Sequence, residues 1–194
     1  MKLEFILAGV WLAYGFIHTF LASNKCKNLL KTILGRFFIY YRLLYNIIAF
    51  LLIVPILVWQ QRIVSEVILP AGTMNYILGG LMMTSGVYLA FVSVKSYGFK
   101  DFLGLTAING LEEKKTLKTD ELSEIVRHPL YLGLLLFVWG NFGFAGTLAS
   151  CITALAISLY IRIGIYFEEK KLVSEFGKAY EKYQKEVPML IPKF

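Results

Sequence analysis

Arg127–Glu169 reads RHPLYLGLLLFVWGNFGFAGTLASCITALAISLYIRIGIYFEE. Two apolar runs, Leu130–Ala145 and Thr147–Phe167, lie between Arg127-His128 and the carboxylate pair Glu168-Glu169. Pro129 suits the first turn of a helix, where its missing N–H costs nothing, and this puts His128 near the N-cap. The small residues of Phe144-Ala145-Gly146 allow a tight reversal. The pattern predicts a helical hairpin. At about 1.5 Å per residue, the two arms are roughly 26 and 32 Å long. Arg127, His128, Tyr131, Glu168 and Glu169 should therefore arrive at one membrane depth on adjacent antiparallel helices. The free N–H groups of a helix start favour an anion. Beside two carboxylates, such a start suits a zwitterion with a carboxylate and an ammonium group, as in an amino acid. The same residues would also serve as ordinary interfacial anchors.

The rest of the chain fits that setting. Of 194 residues, 57% are hydrophobic, above the 45–50% usual for a soluble domain, and the mean hydropathy is +0.62. The excess falls in blocks, with 15 Phe and 12 Tyr. An all-α integral membrane protein of a single domain, 1–194, is expected, with five spans. The spans are Leu3–Ala22, Tyr41–Trp59, Asn75–Val94, Leu130–Ala145 and Thr147–Phe167, the fourth at the short limit. The first block has no cleavage pattern before Lys25 and is read as a retained span. The parts are a three-helix stretch 1–94, a cytoplasmic or interfacial connector 95–127, and a hairpin with tail 128–194.

Charge sets the expected orientation. Seventeen of the 20 Lys and Arg fall in 25–42, 95–127 and the tail after Phe167. With five spans these share one side, which the positive-inside rule makes cytoplasmic. The N-terminus is then outside, and the C-terminus and candidate site inside. The net charge of +7 is thus topological. Acidic residues are interleaved on the same face and no stacking platform is evident, which argues against nucleic acid. The two cysteines give neither a disulfide framework nor metal spacing. Cys151 is expected in the core, whereas Cys26 is either inert or an acylation site.

Phe99–Leu105 should lie in the interface, and Lys114–Val126 should be partly helical. Leu172, Val173, Phe176, Tyr180 and Tyr183 recur at helical spacing. They predict an amphipathic C-terminal helix continuing the fifth span to Pro188 and Pro192.

The ordered set Arg127-His128-Pro129-Leu130-Tyr131-Leu132-Gly133, Glu168-Glu169-Lys170-Lys171-Leu172, Phe176-Gly177-Lys178-Ala179-Tyr180, Tyr183 and Val187-Pro188 resembles the C-terminal module of integral-membrane methyltransferases. These form the isoprenylcysteine carboxyl methyltransferase and phospholipid methyltransferase superfamily. Trp11, His18–Ser23, Tyr41–Asn46 and Gly164–Glu169 are similar to its NnrU-like and methanethiol S-methyltransferase branch. The chain departs from the superfamily at Gly164, where the prenylcysteine enzymes often have Arg; Arg162 lies two residues earlier. Glu121 and Ser123 stand where a Gly and a Tyr commonly precede the Arg-His-Pro motif.

The resemblance implies S-adenosylmethionine as methyl donor and S-adenosylhomocysteine as product. Arg127, His128, Pro129, Tyr131, Glu168 and Glu169 would then be cofactor-binding, and Gly133 would allow close approach. Glu168 and Glu169 would face the ammonium or the ribose, though Glu169 could instead pair with Arg127 and hold the tail closed. The acceptor would be a small apolar, thiol or lipid-like molecule. Methyl transfer from a sulfonium needs alignment and exclusion of water more than a dedicated nucleophile. A thiol acceptor would react as its thiolate. His18, Arg42 and Arg162 are the candidates for acceptor contact, as ionisable groups at or within spans. His18 and Asn141 could alternatively tie helices together. Two other classes remain open at this point: an NADPH-dependent reductase of the sterol and steroid type, whose C-terminal module is similar, and a non-enzymatic membrane accessory protein. No metal is implied, and a monomer could bury the cofactor.

Overall fold

The computed structural model describes residues 2–108, 116, 117, 119 and 121–193. The chain is all-α. Its helices are α1 (Lys2–Ala22), α2 (Asn24–Leu34), α3 (Tyr41–Gln60), α4 (Thr73–Tyr97), α5 (Phe99–Leu103), α6 (Leu105–Ile108), α7 (Pro129–Ala145), α8 (Leu148–Phe176) and α9 (Lys178–Glu186). Among the described residues, α1, the stretch Asn24–Gln60, α4 and α8 are long and apolar enough to cross a membrane. α7 has 17 residues and falls just short of that length. This is a multi-span integral membrane protein.

Two compact units form, Met1–Ser65 with Gly98–Lys114, and Glu66–Tyr97 with Lys115–Phe194. In the first, the basic stretch after α1 is helical. Ser23 caps α2 by accepting from the Cys26 amide at 3.2 Å, and a 3-10 helix, Gly35–Tyr40, leads into α3. Tyr41 donates to the Leu21 carbonyl, and its hydroxyl lies 3.9 Å from the Sγ of Cys26, which is 5% exposed. That burial removes the access an acylating enzyme would need. Gly104, at φ +80, separates α5 from α6 and lies against the Arg42 side chain. Asn46 Nδ2 donates to the Phe102 carbonyl at 3.0 Å, tying α5 to α3.

In the second unit, α4 packs along α7, although the sequence groups it with the earlier spans. Gly86 meets Gly133, and Gly79 meets Gly140. A Cβ on Gly86 would lie 2.5 Å from the Gly133 oxygen, and one on Gly140 would lie 2.8 Å from the Gly79 oxygen. Close backbone approach of this kind is how helices associate in lipid, where apolar burial gives little net drive. At the far end of α7 the chain reverses at Gly146 (φ +65), and Thr147 and Ser150 form a capping box on α8. Residues 66–69 cover this turn: Leu148 donates to the Glu66 carbonyl at 2.8 Å, and Ile68 to the Gly146 carbonyl at 2.8 Å. Trp139 Nε1 donates to Ser158 Oγ at 3.0 Å between α7 and α8.

The tail differs from the expected continuous helix. α8 stops at Phe176, Gly177 takes φ +55, and α9 sets off in a new direction. A residue able to adopt positive φ is what lets the chain bend there. Of Lys114–Val126, the 3-10 turn Glu121–Glu124 is seen, while Lys114, Lys115, Lys118 and Asp120 lie outside the described residues.

Candidate functional site

His128 is the N-cap of α7 and Pro129 its first residue, and the imidazole does not cap the helix. It turns instead toward α8, where His128 Nε2 lies 3.1 Å from Glu169 Oε1. Arg127 reaches the same oxygen through Nε at 2.8 Å and Nη2 at 2.7 Å. Gln184 of α9 donates to the other oxygen, Oε2, at 3.0 Å. Glu169 is thus occupied on both sides by its own chain. Arg127 Nη1 also donates to the carbonyls of Gln184 at 3.0 Å and Val187 at 2.6 Å. The Arg127 and His128 amides donate to the Pro188 and Met189 carbonyls at 2.9 and 3.2 Å. Together these contacts strap the segment after α9 to the start of α7.

Glu168 is different. Its one hydrogen bond among the described residues comes from the Tyr131 hydroxyl to Oε2, at 2.8 Å. Tyr131 and His128 stack loosely, with ring centroids 5.6 Å apart.

Tyr180 and Tyr183 lie on α9, with ring centroids 5.8 Å apart. The Tyr183 hydroxyl donates to the Ser123 carbonyl at 2.6 Å. Tyr180 is 1% exposed, and its hydroxyl has no hydrogen-bond partner among the described residues. Burial, and then the nearby Glu169 carboxylate, raise its pKa above the usual phenol value.

The structure therefore brings together Arg127, His128, Pro129, Tyr131, Glu168 and Glu169. Gly133 lies on the face of α7 that meets α4. It is buried against α4, where a Cβ would sit 2.7 Å from the Gly86 oxygen and 2.9 Å from the Ala90 nitrogen. The close approach made at Gly133 is that of a neighbouring helix. Arg162 is exposed on α8. Arg42 and His18 belong to the first unit, where His18 Nε2 is 2.7 Å from the Tyr45 hydroxyl. Gln184 and the strap were missed. A glutamine on a polar helix face carries no sequence signal, although Val187-Pro188 was part of the motif.

Against known proteins, the sequence profile for phospholipid methyltransferase matches residues 74–179, which is α4 through the start of α9. The chain belongs to the phospholipid methyltransferase family. Within this family the chain is 37% identical over 148 residues to methanethiol S-methyltransferase 2 of Bradyrhizobium diazoefficiens, covering 73% of this chain and 56% of that one. It is 43% identical over 77 residues to the methanethiol S-methyltransferase of Pseudomonas deceptionensis, 40% of this chain and 29% of the other. The protein-S-isoprenylcysteine O-methyltransferase of Schizosaccharomyces pombe is 38% identical over 77 residues, 39% of this chain and 33% of that enzyme. The aligned regions span little more than half the length of the first relative and about a third of the other two. No solved structure matches the chain.

Proposed function

We propose that this chain is a membrane-embedded methyltransferase that uses S-adenosylmethionine and methylates a small thiol. The observation that carries the reading is Glu168, a carboxylate anchored by Tyr131 beside the uncapped start of α7, in the region shared with the family. The donor set fits the cofactor. Glu168 suits an ammonium group, and the α7 start suits a carboxylate. The orphaned Tyr180 hydroxyl adds a polar atom in want of a partner.

S-adenosylmethionine supplies a sulfonium-bound methyl that passes to the acceptor sulfur, the bonding pair returning to the donor sulfur. The acceptor enters as its thiolate, its proton having passed to bulk water, because the thiolate is the nucleophile. Glu168 and Tyr131 would hold the amino-acid end, and the strap and α9 would help keep water from the reacting atoms. Of the candidates for acceptor contact, Arg162 lies in the same unit as Glu168. The relatives named for methanethiol support a small thiol over a prenylated peptide. The protein is read as one membrane domain with five spans, α7 being the short fourth. Its C-terminus and site face the cytoplasm, and its N-terminus faces outward.

The test is to offer purified protein labelled S-adenosylmethionine with methanethiol, longer thiols, phospholipid and prenylcysteine, and follow the label. Transfer to methanethiol is expected. NADPH binding without S-adenosylmethionine binding would overturn the reading. Calorimetry should separate the two glutamates. Glu168→Ala is expected to weaken cofactor binding at least about thirtyfold, the loss typical for one partner of a buried charge pair. Glu169→Ala should chiefly lower the thermal midpoint, since it strands Arg127. Equal effects on affinity would contradict that division.

A further inference from the structure

Tyr180 is the polar side chain in the second unit that the fold leaves unexplained. It sits on α9, 1% exposed, with its ring 5.8 Å from that of Tyr183. Its hydroxyl has no partner among the described residues. Buried polar atoms in folded proteins are nearly always hydrogen-bonded, so an orphan calls for a ligand or an ordered water. The chain itself offers little. Both oxygens of Glu169 already accept hydrogen bonds, Oε1 from Arg127 with His128 nearby and Oε2 from Gln184. Glu168 Oε2 accepts from Tyr131, and the Tyr180 hydroxyl hydrogen-bonds to neither Glu168 oxygen. Tyr183, its neighbour on α9, has its own acceptor at Ser123.

A phenol in that position donates. Its acceptor should be an anion or a hydroxyl, because the carboxylate of Glu168 already suits the ammonium. We infer that Tyr180 is a cofactor-contact residue, its hydroxyl donating to the carboxylate of the amino-acid end of the methyl donor. The inference rests on the reading of the chain as an S-adenosylmethionine enzyme. It adds a third point to the recognition of the zwitterion, supplied by α9, which lies beyond the hairpin. The strap then acquires a binding role as well, since Arg127 and Gln184 set where α9 sits.

The experiment is calorimetry on detergent-solubilised full chain, with Tyr180→Phe beside the unsubstituted protein. Two probes are used: S-adenosylhomocysteine, and methylthioadenosine, which lacks the amino-acid end. Phenylalanine keeps the ring, so the fold should survive, and the thermal midpoint should hold or rise once the orphaned hydroxyl is gone. S-adenosylhomocysteine is expected to bind at least about tenfold more weakly to Tyr180→Phe, the usual loss for a hydrogen bond to a charged group. Methylthioadenosine should bind both proteins alike. Unchanged affinity for S-adenosylhomocysteine would overturn the inference and assign the hydroxyl to a buried water. An equal loss for both probes would overturn it too, since the effect would then not concern the carboxylate. If the unsubstituted protein binds neither probe, the functional reading itself fails and takes this inference with it.

Discussion

Arg127→Ala is expected to destabilise the protein by about 3–5 kcal/mol, the range for removing one partner of a buried ion pair. For a chain of this size the thermal midpoint would fall on the order of 10 °C. The Arg127 side chain is 8% exposed, and Glu169 is 12% exposed. Loss of Arg127 leaves that carboxylate to His128 and Gln184, and it strands the carbonyls of Gln184 and Val187, which accept at 3.0 and 2.6 Å. Arg127→Lys should recover only part of the loss, because a single ammonium cannot reproduce a planar fork aimed at three acceptors. Hydrogen exchange over 184–189 locates the effect: faster exchange there, with α4 unchanged, is the expected pattern. An unaltered midpoint with unaltered exchange would mean that packing of α9 alone holds the tail.

The second large effect is expected at Gly86. A Cβ there would sit 2.5 Å from the Gly133 oxygen and 2.7 Å from the Phe137 nitrogen, both backbone atoms that cannot step aside. Gly86→Leu must push α4 and α7 apart, at a cost of about 3 kcal/mol or more. The matching control is Gly80→Leu on the same helix, where no atom lies within 4 Å of the added carbon. Thermal unfolding in detergent should separate the two variants sharply. Cofactor affinity should fall with Gly86→Leu as well, because α7 carries Tyr131. Similar midpoints for the two variants would show that the glycine pairs are incidental.

Much of the site could be read from the sequence because it depends on local rules. Pro129 fixed the start of α7, Gly146 the reversal, and counted residues brought Arg127 and His128 level with Glu168 and Glu169. The packing of α4 on α7 was not legible in the same way. Glycine is common in membrane helices, so single glycines carry little information. The usable signal was a shared spacing of seven, Gly79 to Gly86 and Gly133 to Gly140, which matters only once the two helices are known to be partners. The break at Gly177 was overlooked because the apolar residues keep helical spacing on both sides of it. Tyr180 looked like one more apolar position in that stripe. Its significance lies in a missing hydrogen bond, and only coordinates reveal an absence of that kind.

α7 has 17 residues, so it is about 25 Å long, against a hydrocarbon layer of about 30 Å. On the five-span reading, the bilayer must thin around it, at a modest cost per ångström. Headgroups and water would then dip into a local dimple at the start of α7, beside Glu168. A hydrophilic donor would enter that dimple from the aqueous phase, and an apolar acceptor would reach it through the acyl chains. The short helix would thus bring the aqueous phase close to the depth at which its neighbours lie in lipid.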